Sequence, residues 1–282
     1  ITLDLNGKRI CLDQKFVDQA IPYAPLLITV QNGAEVTITG NGTIDTDCGY
    51  NDVYGINIIQ NSSVTVENGT YIGSTTAIQV TQGTLTIYDG TFIQGKAISE
   101  VLPEYAKYVI NCIDKYFADG SARIYAKGGR YCFDPSAKPE NSEITYVPDG
   151  CVCEKDEASG YWIVKQLPYV AAIGDTQYYS LADAVAASKD GDTIEVLDDS
   201  VGRGIMVKAS DGPKKVTIDF NGHTYTMGGP AVGSTGTESQ AWHIEKGNTF
   251  ILKDASGEPV EADENGLLQI EDRVFELEDG RI

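Results

Sequence analysis

A short phrase that returns along the first half of the chain constrains the fold more than any other feature. Residues 64–71 read V-T-V-E-N-G-T-Y, and related phrases stand at residues 36–44, 85–92 and 122–131. In most copies two apolar residues flank a single intervening residue, which is the period of a β-strand with one buried face. A glycine then permits a sharp bend, and a second short strand follows it.

The spacing of the repeated glycines predicts how these strands are arranged. Gly42, Gly69, Gly90 and Gly129 are separated by 27, 21 and 39 residues. A unit of this size cannot bury its apolar face alone, so successive copies are expected to stack into a solenoid of β-coils. The longest interval predicts a coil that carries an insertion.

The insertion is predicted to begin near residue 99. Pro103 precedes a predicted helical turn at residues 104–107, and residues 108–113 read as another buried strand. The regular alternation resumes with the phrase at residues 122–131.

A second repeat predicts two related modules. The first residues, I-T-L-D-L-N-G, return as V-T-I-D-F-N-G at residues 216–222, where a long structured segment precedes them. We therefore predict modules at residues 1–166 and 167–282, the first of which lacks its opening segment. Because the chain starts at Ile1 without a leader, it reads as a mature or trimmed product.

Both modules carry elements that are expected to close the ends of a solenoid. A hairpin predicted around residues 156–160 ends the first module and protects its edge from pairing with other chains. A second hairpin is predicted around residues 174–175. Ser180 is predicted to cap a short helix over residues 180–188, and the tail from residue 254 is acidic, with ten acidic and two basic residues.

Charge and cysteine content exclude several classes of partner and site. The net charge of −20 argues against nucleic acid, because a phosphate backbone needs a cationic face. No apolar run approaches the ~18 residues of a membrane span, so membrane insertion is not predicted. Six cysteines are too few for a disulfide scaffold in 282 residues, and none has zinc-site spacing. We predict unpaired thiols, no metal and no cofactor.

One pair of carboxylates has a spacing that suits catalysis. Asp45 and Asp47 are predicted to share a strand face about 6–7 Å apart, with Asp52 close behind. Such a pair would serve an inverting glycoside hydrolase, whereas a lyase would need a base near an acidic calcium site. The other interpretation, that these aspartates solvate a corner, is preferred. The two histidines, His223 and His243, read as structural, and no residue is predicted to be catalytic.

Threonines recur between the buried residues of the repeated phrase. Thr37, Thr65 and Thr86 would form a column on the outer face of the stacked coils, and Arg123 is predicted to interrupt it. Stacked threonines can order water, but threonine is also a common exposed strand residue, and this second interpretation is preferred.

Several longer phrases resemble those of a known family of repeats. They stand at residues 172–197, 216–225, 128–136, 146–150 and 160–164. These phrases are similar to pectin-lyase-like right-handed β-helix repeats, which occur in surface proteins of gut-type bacteria and in virion proteins of their phages, including head fibres and decoration proteins. The resemblance covers most of residues 1–164 and 173–253. It implies an all-β fold, a right-handed parallel β-helix solenoid with a short capping helix and hairpins.

The same resemblance implies an extracellular function without chemistry. It favours a non-catalytic structural or adhesion module on a virion or bacterial cell surface, assembled as a homo-oligomer such as a trimer or with other virion or surface proteins. The alternative is a glycan-binding or glycan-cleaving β-helix. For glycan binding, Tyr50, Tyr54, Tyr71 and Trp242 are the aromatics expected to stack on sugars if they are exposed.

Overall fold

The protein divides into two compact units, Ile1–Gln166 and Leu167–Ile282. The computed structural model describes residues 1–13, 15–16, 18, 26–50, 53–101, 108–137, 144–233, 236, 238–254 and 275–278, the last of these for their backbone alone.

The strands of the first unit belong to three mainly parallel sheets that the chain visits in rotation. The first sheet contains β1 (Thr2–Asp4), β4 (Glu35–Thr39), β7 (Ser62–Val66), β10 (Gly83–Ile87) and β13 (Ala122–Ala126). The second contains β2 (Arg9–Cys11), β5 (Thr43–Asp45), β8 (Thr70–Gly73), β11 (Thr91–Gln94) and β14 (Gly129–Tyr131). The third contains β3 (Leu26–Val30), β6 (Tyr54–Ile58), β9 (Thr76–Val80) and β12 (Ile110–Cys112). One passage through the three sheets is called a circuit below.

Successive circuits place equivalent residues side by side. Val64 in β7 lies between Val36 of β4 and Leu85 of β10, and all neighbouring strands of the first sheet are parallel. Val64, Val66 and Ile87 are buried, at 0–1% exposure. The predicted alternation of inward and outward side chains is therefore confirmed for these strands.

A column of stacked aromatic rings fills the core behind the second sheet. Tyr71, Phe92 and Tyr131 are neighbours in the register of β8, β11 and β14. Their ring centres are 5.0 and 4.9 Å apart, with interplanar angles of 10° and 7°. The hydroxyl of Tyr71 donates to the Asn68 carbonyl at 2.9 Å, and that of Tyr131 to the Gly128 carbonyl at 2.8 Å. Burial raises the pKa of both tyrosine hydroxyls, so both donate as neutral groups.

The repeated glycines are needed where the chain passes from the first sheet to the second. Gly90 has a φ of +131°, which side-chain-bearing residues rarely adopt. At Gly42 the restriction is space, because a Cβ atom there would lie 2.3 Å from the Lys8 carbonyl oxygen. The repeated glycines therefore meet two different requirements, a positive φ at Gly90 and close packing against the backbone of Lys8 at Gly42.

The inserted segment contains helices on both sides of β12. Helix α1 (Lys96–Val101) follows β11, and helix α2 (Asp114–Ala118) follows β12. The buried strand predicted in this region is confirmed, whereas neither helix was predicted. The helical turn predicted at residues 104–107 lies outside the described residues.

A hairpin extends the second sheet beyond its last parallel strand. Strands β15 (Cys151–Lys155) and β16 (Trp162–Gln166) are antiparallel, and β16 also pairs antiparallel with β14. The predicted closing hairpin is thus confirmed. The six cysteines, all of which lie in the described part of the chain, form no disulfide.

The second unit repeats the rotation through three sheets. Its main sheet has the order β18 (Thr176–Tyr178), β17 (Ala171–Ile173), β19 (Thr193–Val196), β22 (Lys215–Asp219), β25 (Thr249–Lys253) and β26 (Phe275–Glu278). Two further sheets pair β20 (Ser200–Gly202) with β23 (Tyr225–Met227), and β21 (Ile205–Val207) with β24 (Trp242–Ile244). Strands β19, β22 and β25 are parallel, whereas the predicted hairpin β17–β18 joins β19 in antiparallel fashion.

Helix α3 (Leu181–Ala187) lies against the first strands of this unit and is fixed at both ends. The Ser180 hydroxyl accepts a hydrogen bond from the Asp183 amide at 3.3 Å, which confirms the predicted cap. The buried ammonium of Lys214 donates to the carbonyls of Val185 and Ser188 at 2.9 and 3.1 Å. A cation at this end complements the helix dipole.

Candidate functional site

The two carboxylates that were predicted to share a strand face do not lie on one strand, because Asp47 lies beyond the end of β5. Asp45 ends strand β5, where it is 8% exposed. Its Oδ2 accepts from Arg9 Nη2 at 2.8 Å and from Arg9 Nε at 3.1 Å. Its Oδ1 accepts from the Asp47 amide at 2.9 Å, so the chain turns directly after the strand. Asp45 and Asp47 therefore do not continue one strand face, and this prediction was wrong.

Asp47 instead holds the start of helix α1. Its Oδ1 accepts from the backbone amides of Ala97 at 3.0 Å and Ile98 at 3.4 Å. A carboxylate in this position satisfies helix amides that have no partner within the helix. Both aspartates are thus engaged in the fold, and Asp52 lies outside the described residues.

Replacing Asp47 by alanine is expected to destabilise the first unit. Loss of the acceptor oxygens should lower the free energy of unfolding by about 0.5–2 kcal/mol, the usual cost of removing a helix cap. Urea denaturation would measure this decrease in the free energy of unfolding. Asp47→Asn retains one acceptor and should lose less, and an Asp47→Ala variant as stable as the parent would contradict the assignment.

The four aromatics predicted for sugar stacking differ in exposure. Tyr50 is 40% exposed, whereas Tyr54 is half-buried in β6. Tyr71 is fully buried in the aromatic column, so it cannot meet a sugar from solvent. Trp242 is half-buried and packs on the core of the second unit, with its ring centre 6.4 Å from that of Tyr225. Only Tyr50 among them meets the condition of exposure.

Two exposed tyrosines lie on the outer face of the first sheet. We define the tyrosine face by the outward side chains of β10, β13 and the residues that follow them: Thr84, Thr86, Tyr88, Arg123, Tyr125 and Lys127. Tyr88 and Tyr125 are 51% and 37% exposed. The Lys127 ammonium lies 5.4 Å from the centre of the Tyr88 ring, a cation–π distance.

The register of β13 differs from the one predicted. Arg123 lies beside Thr84, and the column of Thr37, Thr65 and Thr86 continues to Tyr125. Aligning the phrases A-R-I-Y (residues 122–125) and L-T-I-Y (residues 85–88) places Leu85 opposite Ala122. In the structure Leu85 pairs with Ile124, which is two residues later than Ala122. Arg123 therefore does not interrupt the threonine column, which ends on an exposed aromatic ring.

Sequence reasoning missed both tyrosines of this face although a signal was present. In L-T-I-Y, residues 85–88, the buried Leu85 and Ile87 alternate with outward residues, so Tyr88 must point outward. The same alternation around the buried Ile124 places Tyr125 outward. Parity within the strand was the informative signal, and it was used for the core and for the threonine column but not for these tyrosines.

The two cations of the tyrosine face have different surroundings. The Arg123 guanidinium lies 4.8 Å from the centre of the Phe117 ring in α2, and its Nη1 donates to the Ala122 carbonyl at 2.8 Å. Lys127 contacts the Tyr88 ring and forms no ion pair among the residues that the structure describes. Arg123 is therefore held by main-chain and aromatic contacts, whereas Lys127 lies over an exposed aromatic ring.

The remaining candidates for chemistry have ordinary partners. His223 Nδ1 lies 3.7 Å from an Asp199 carboxylate oxygen, and His243 Nδ1 lies 2.6 Å from Gln240 Oε1. In the described part of the chain, no three His, Cys, Asp or Glu side chains cluster in a way that would hold a metal ion. Within the same residues, no helix has the length and apolar character that crossing a membrane requires.

Comparison with known proteins adds no assignment. No family model, curated protein or solved structure matches the chain.

Proposed function

We propose that both units are right-handed parallel β-helices and that the protein is a non-catalytic structural or adhesion module of an exterior surface. The repeated rotation through three sheets supports the helical winding in both units. The right hand follows from the strong preference of crossovers between parallel strands of one sheet. The similarity of the repeated phrases to β-helix repeats of bacterial surfaces and phage virions supports the location.

The use of Asp45 and Asp47 in the fold carries the non-catalytic part of this proposal. A hydrolase needs a carboxylic acid and a carboxylate placed to act on one substrate, with at least one of them able to exchange protons. Asp45 is bound by Arg9, and Asp47 is bound by the start of α1. The two carboxylates of the first unit whose spacing best suits catalysis are thus bound by the protein itself. The exposed outer face of its first sheet carries hydroxyl and aromatic groups.

The surface on which this module is proposed to lie is that of a phage virion or a bacterial cell. The net charge of −20 suits a solvated, non-aggregating exterior protein. The proposed partners are further copies of the chain, in a homo-oligomer such as a trimer, or other virion or surface proteins. Neighbouring capsid and portal genes would favour the virion, and a secretion leader with a wall anchor would favour the cell surface.

The purified protein is expected to cleave no polysaccharide. Incubation with pectin, alginate or host-type glycans, with and without calcium, should release neither unsaturated nor reducing ends. An active polysaccharide lyase and an active hydrolase serve as positive controls in the same assays. Cleavage that disappears in Asp45→Asn or Asp47→Asn would reject the proposal and favour a glycan-cleaving β-helix.

A glycan-binding function is the second candidate, and the tyrosine face favours it. Tyr88 and Tyr125 expose ring surface on neighbouring strands of a sheet, beside the hydroxyl of Thr86. Tyrosine combines an apolar face with a polar tip, which suits contact with sugar rings and their hydroxyl groups. Glycan binding is compatible with adhesion and needs no catalytic group.

A further inference from the structure

We propose that Tyr169 and Tyr179 form a modification site, at which a peroxidase with hydrogen peroxide joins the two rings through a carbon–carbon bond as an intramolecular dityrosine. This inference goes beyond the proposed function and does not depend on it. It is carried by the distance between the two phenols, by the backbone that holds them and by their access to solvent.

The two phenols already lie in an arrangement close to that of the product. Their ring centres are 4.4 Å apart, and the ring planes make an angle of 20°. The Tyr179 hydroxyl donates a hydrogen bond to the Tyr169 hydroxyl at 3.0 Å. Because the two hydroxyl groups are adjacent, the ortho carbons beside them must also lie close together. In dityrosine the new bond joins these ortho carbons and keeps the two oxygens adjacent, so coupling requires only a small rotation of the rings.

The backbone beside both rings is fixed by the fold. Val170, which follows Tyr169, is buried, and its amide donates to the Tyr178 carbonyl at 2.9 Å. The Val170 carbonyl accepts from the Leu197 amide, also at 2.9 Å. Tyr179 stands between strand β18 and helix α3. The folded chain therefore holds the two rings side by side, and such preorganisation accelerates a reaction between them over a random encounter.

The pair is accessible from solvent. Tyr169 is 38% exposed, and Tyr179 is half-buried. The neighbouring Tyr178 instead packs against the apolar core of the second unit. A peroxidase takes electrons from phenols that it can approach, so Tyr169 is the ring it can oxidise first, and Tyr179 is the ring already in contact with the resulting radical.

The reaction balances with hydrogen peroxide as the oxidant. Each phenol gives up one electron and one proton, which together cleave the oxygen–oxygen bond of one peroxide molecule and yield two water molecules. The two phenoxyl radicals share their unpaired electrons with the ortho carbons, and one such carbon from each ring forms the new bond. The hydrogen on each bonded carbon then moves to the phenol oxygen as a proton, which restores both aromatic rings. The protein loses two hydrogen atoms in total.

The new bond would close a loop around the hairpin β17–β18, at the edge of the main sheet of the second unit. A closed loop restricts the unfolded chain and so favours the folded state. The cross-linked protein is therefore expected to need a higher urea concentration for unfolding of the second unit than the untreated protein.

The inference is tested on the full chain with hydrogen peroxide and a haem peroxidase, in a solution dilute enough for monomers to predominate. We expect the monomer to acquire the blue fluorescence of dityrosine and to lose the mass of two hydrogen atoms. A protease that cleaves before aspartate separates Tyr169 from Tyr179 at Asp175. Peptides 156–174 and 175–182 should nevertheless stay joined after treatment.

Conservative variants identify the two rings. Tyr169→Phe and Tyr179→Phe each keep an aromatic ring for stacking but lack one of the phenols that couple. Either should lower the fluorescence of the treated monomer about tenfold or more. Tyr178→Phe removes the adjacent phenol, and Tyr88→Phe removes a more exposed one. Both are matched controls that should leave the fluorescence and the joined peptides unchanged.

Three results would overturn the inference. The first is a monomer that keeps its mass while free tyrosine added to the same mixture is coupled. The second is monomer fluorescence that persists in Tyr179→Phe, and the third is coupling found only in dimers. None of these results affects the proposed non-catalytic surface module, which the polysaccharide assays test separately.

Discussion

Replacing Val66 by aspartate is expected to unfold the first unit, whereas the same replacement at Thr65 should be nearly silent. Val66 is completely buried between Ile38 and Ile87 of the neighbouring strands, while Thr65 points outward. Burying an unpaired carboxylate costs several kcal/mol, which is comparable to the whole stability of many domains.

Urea denaturation followed by circular dichroism would measure both variants. The Thr65→Asp protein is the control, because it has the same charge change one residue away. A similar loss of stability in both proteins would show that the inward and outward positions of β7 are assigned wrongly. A stable Val66→Asp protein would contradict the proposed core itself.

Replacing Phe92 by alanine is expected to produce the second large loss of stability. Its ring lies between those of Tyr71 and Tyr131, with centres 5.0 and 4.9 Å away. Removing a buried phenylalanine usually costs about 3–5 kcal/mol, because apolar contacts are lost and a cavity remains. Here the two tyrosines would also lose their stacking partner, which adds to the cost.

Phe92→Tyr provides a sharp control for this prediction. The hydroxyls of Tyr71 and Tyr131 each donate to the carbonyl three residues earlier in the chain. A tyrosine at position 92 is therefore expected to donate to the Asp89 carbonyl and to keep a stability close to that of the parent. The stack is wrongly assigned if Phe92→Ala loses no more stability than an alanine at the exposed Tyr88.

The sequence was sufficient to predict those parts of the fold that depend on local patterns. Alternating residues and a following glycine determine a strand and its bend, so the repeated strands around Val64 and Leu85 were predictable. The closing hairpin and the helix capped by Ser180 also have short-range signals. Each of these elements is determined by residues that are close in the chain.

Features that join distant parts of the chain could not be predicted in this way. Arg9 binds Asp45 across two neighbouring strands, and Asp47 reaches the amide of Ala97. Neither contact has a short-range signal, so the two aspartates looked like a pair. The register of β13 was missed for a related reason, because the insertion that contains α1 and α2 precedes it and no local rule fixes where pairing resumes.

The tyrosines of the tyrosine face were not among the aromatics predicted from the sequence. The reason is that each glycine bend begins a new alternation of inward and outward side chains. Tyr71 comes after such a bend and points inward, whereas Tyr88 comes before one and points outward. Counting from the bend, residue by residue, separates the two cases and leads to Tyr88 and Tyr125.

The in-register stacking of circuits also determines how the outer face of the first sheet can be extended. Thr86 and Tyr125 remain neighbours although β12, α1 and α2 lie between them in the chain. Residues can thus be inserted between two strands of the first sheet without disturbing its outer face. Duplication of one circuit would lengthen that face by about 4.8 Å and add one residue to every column. The number of circuits therefore sets the length of the outer face, while point substitutions within a column change its chemistry.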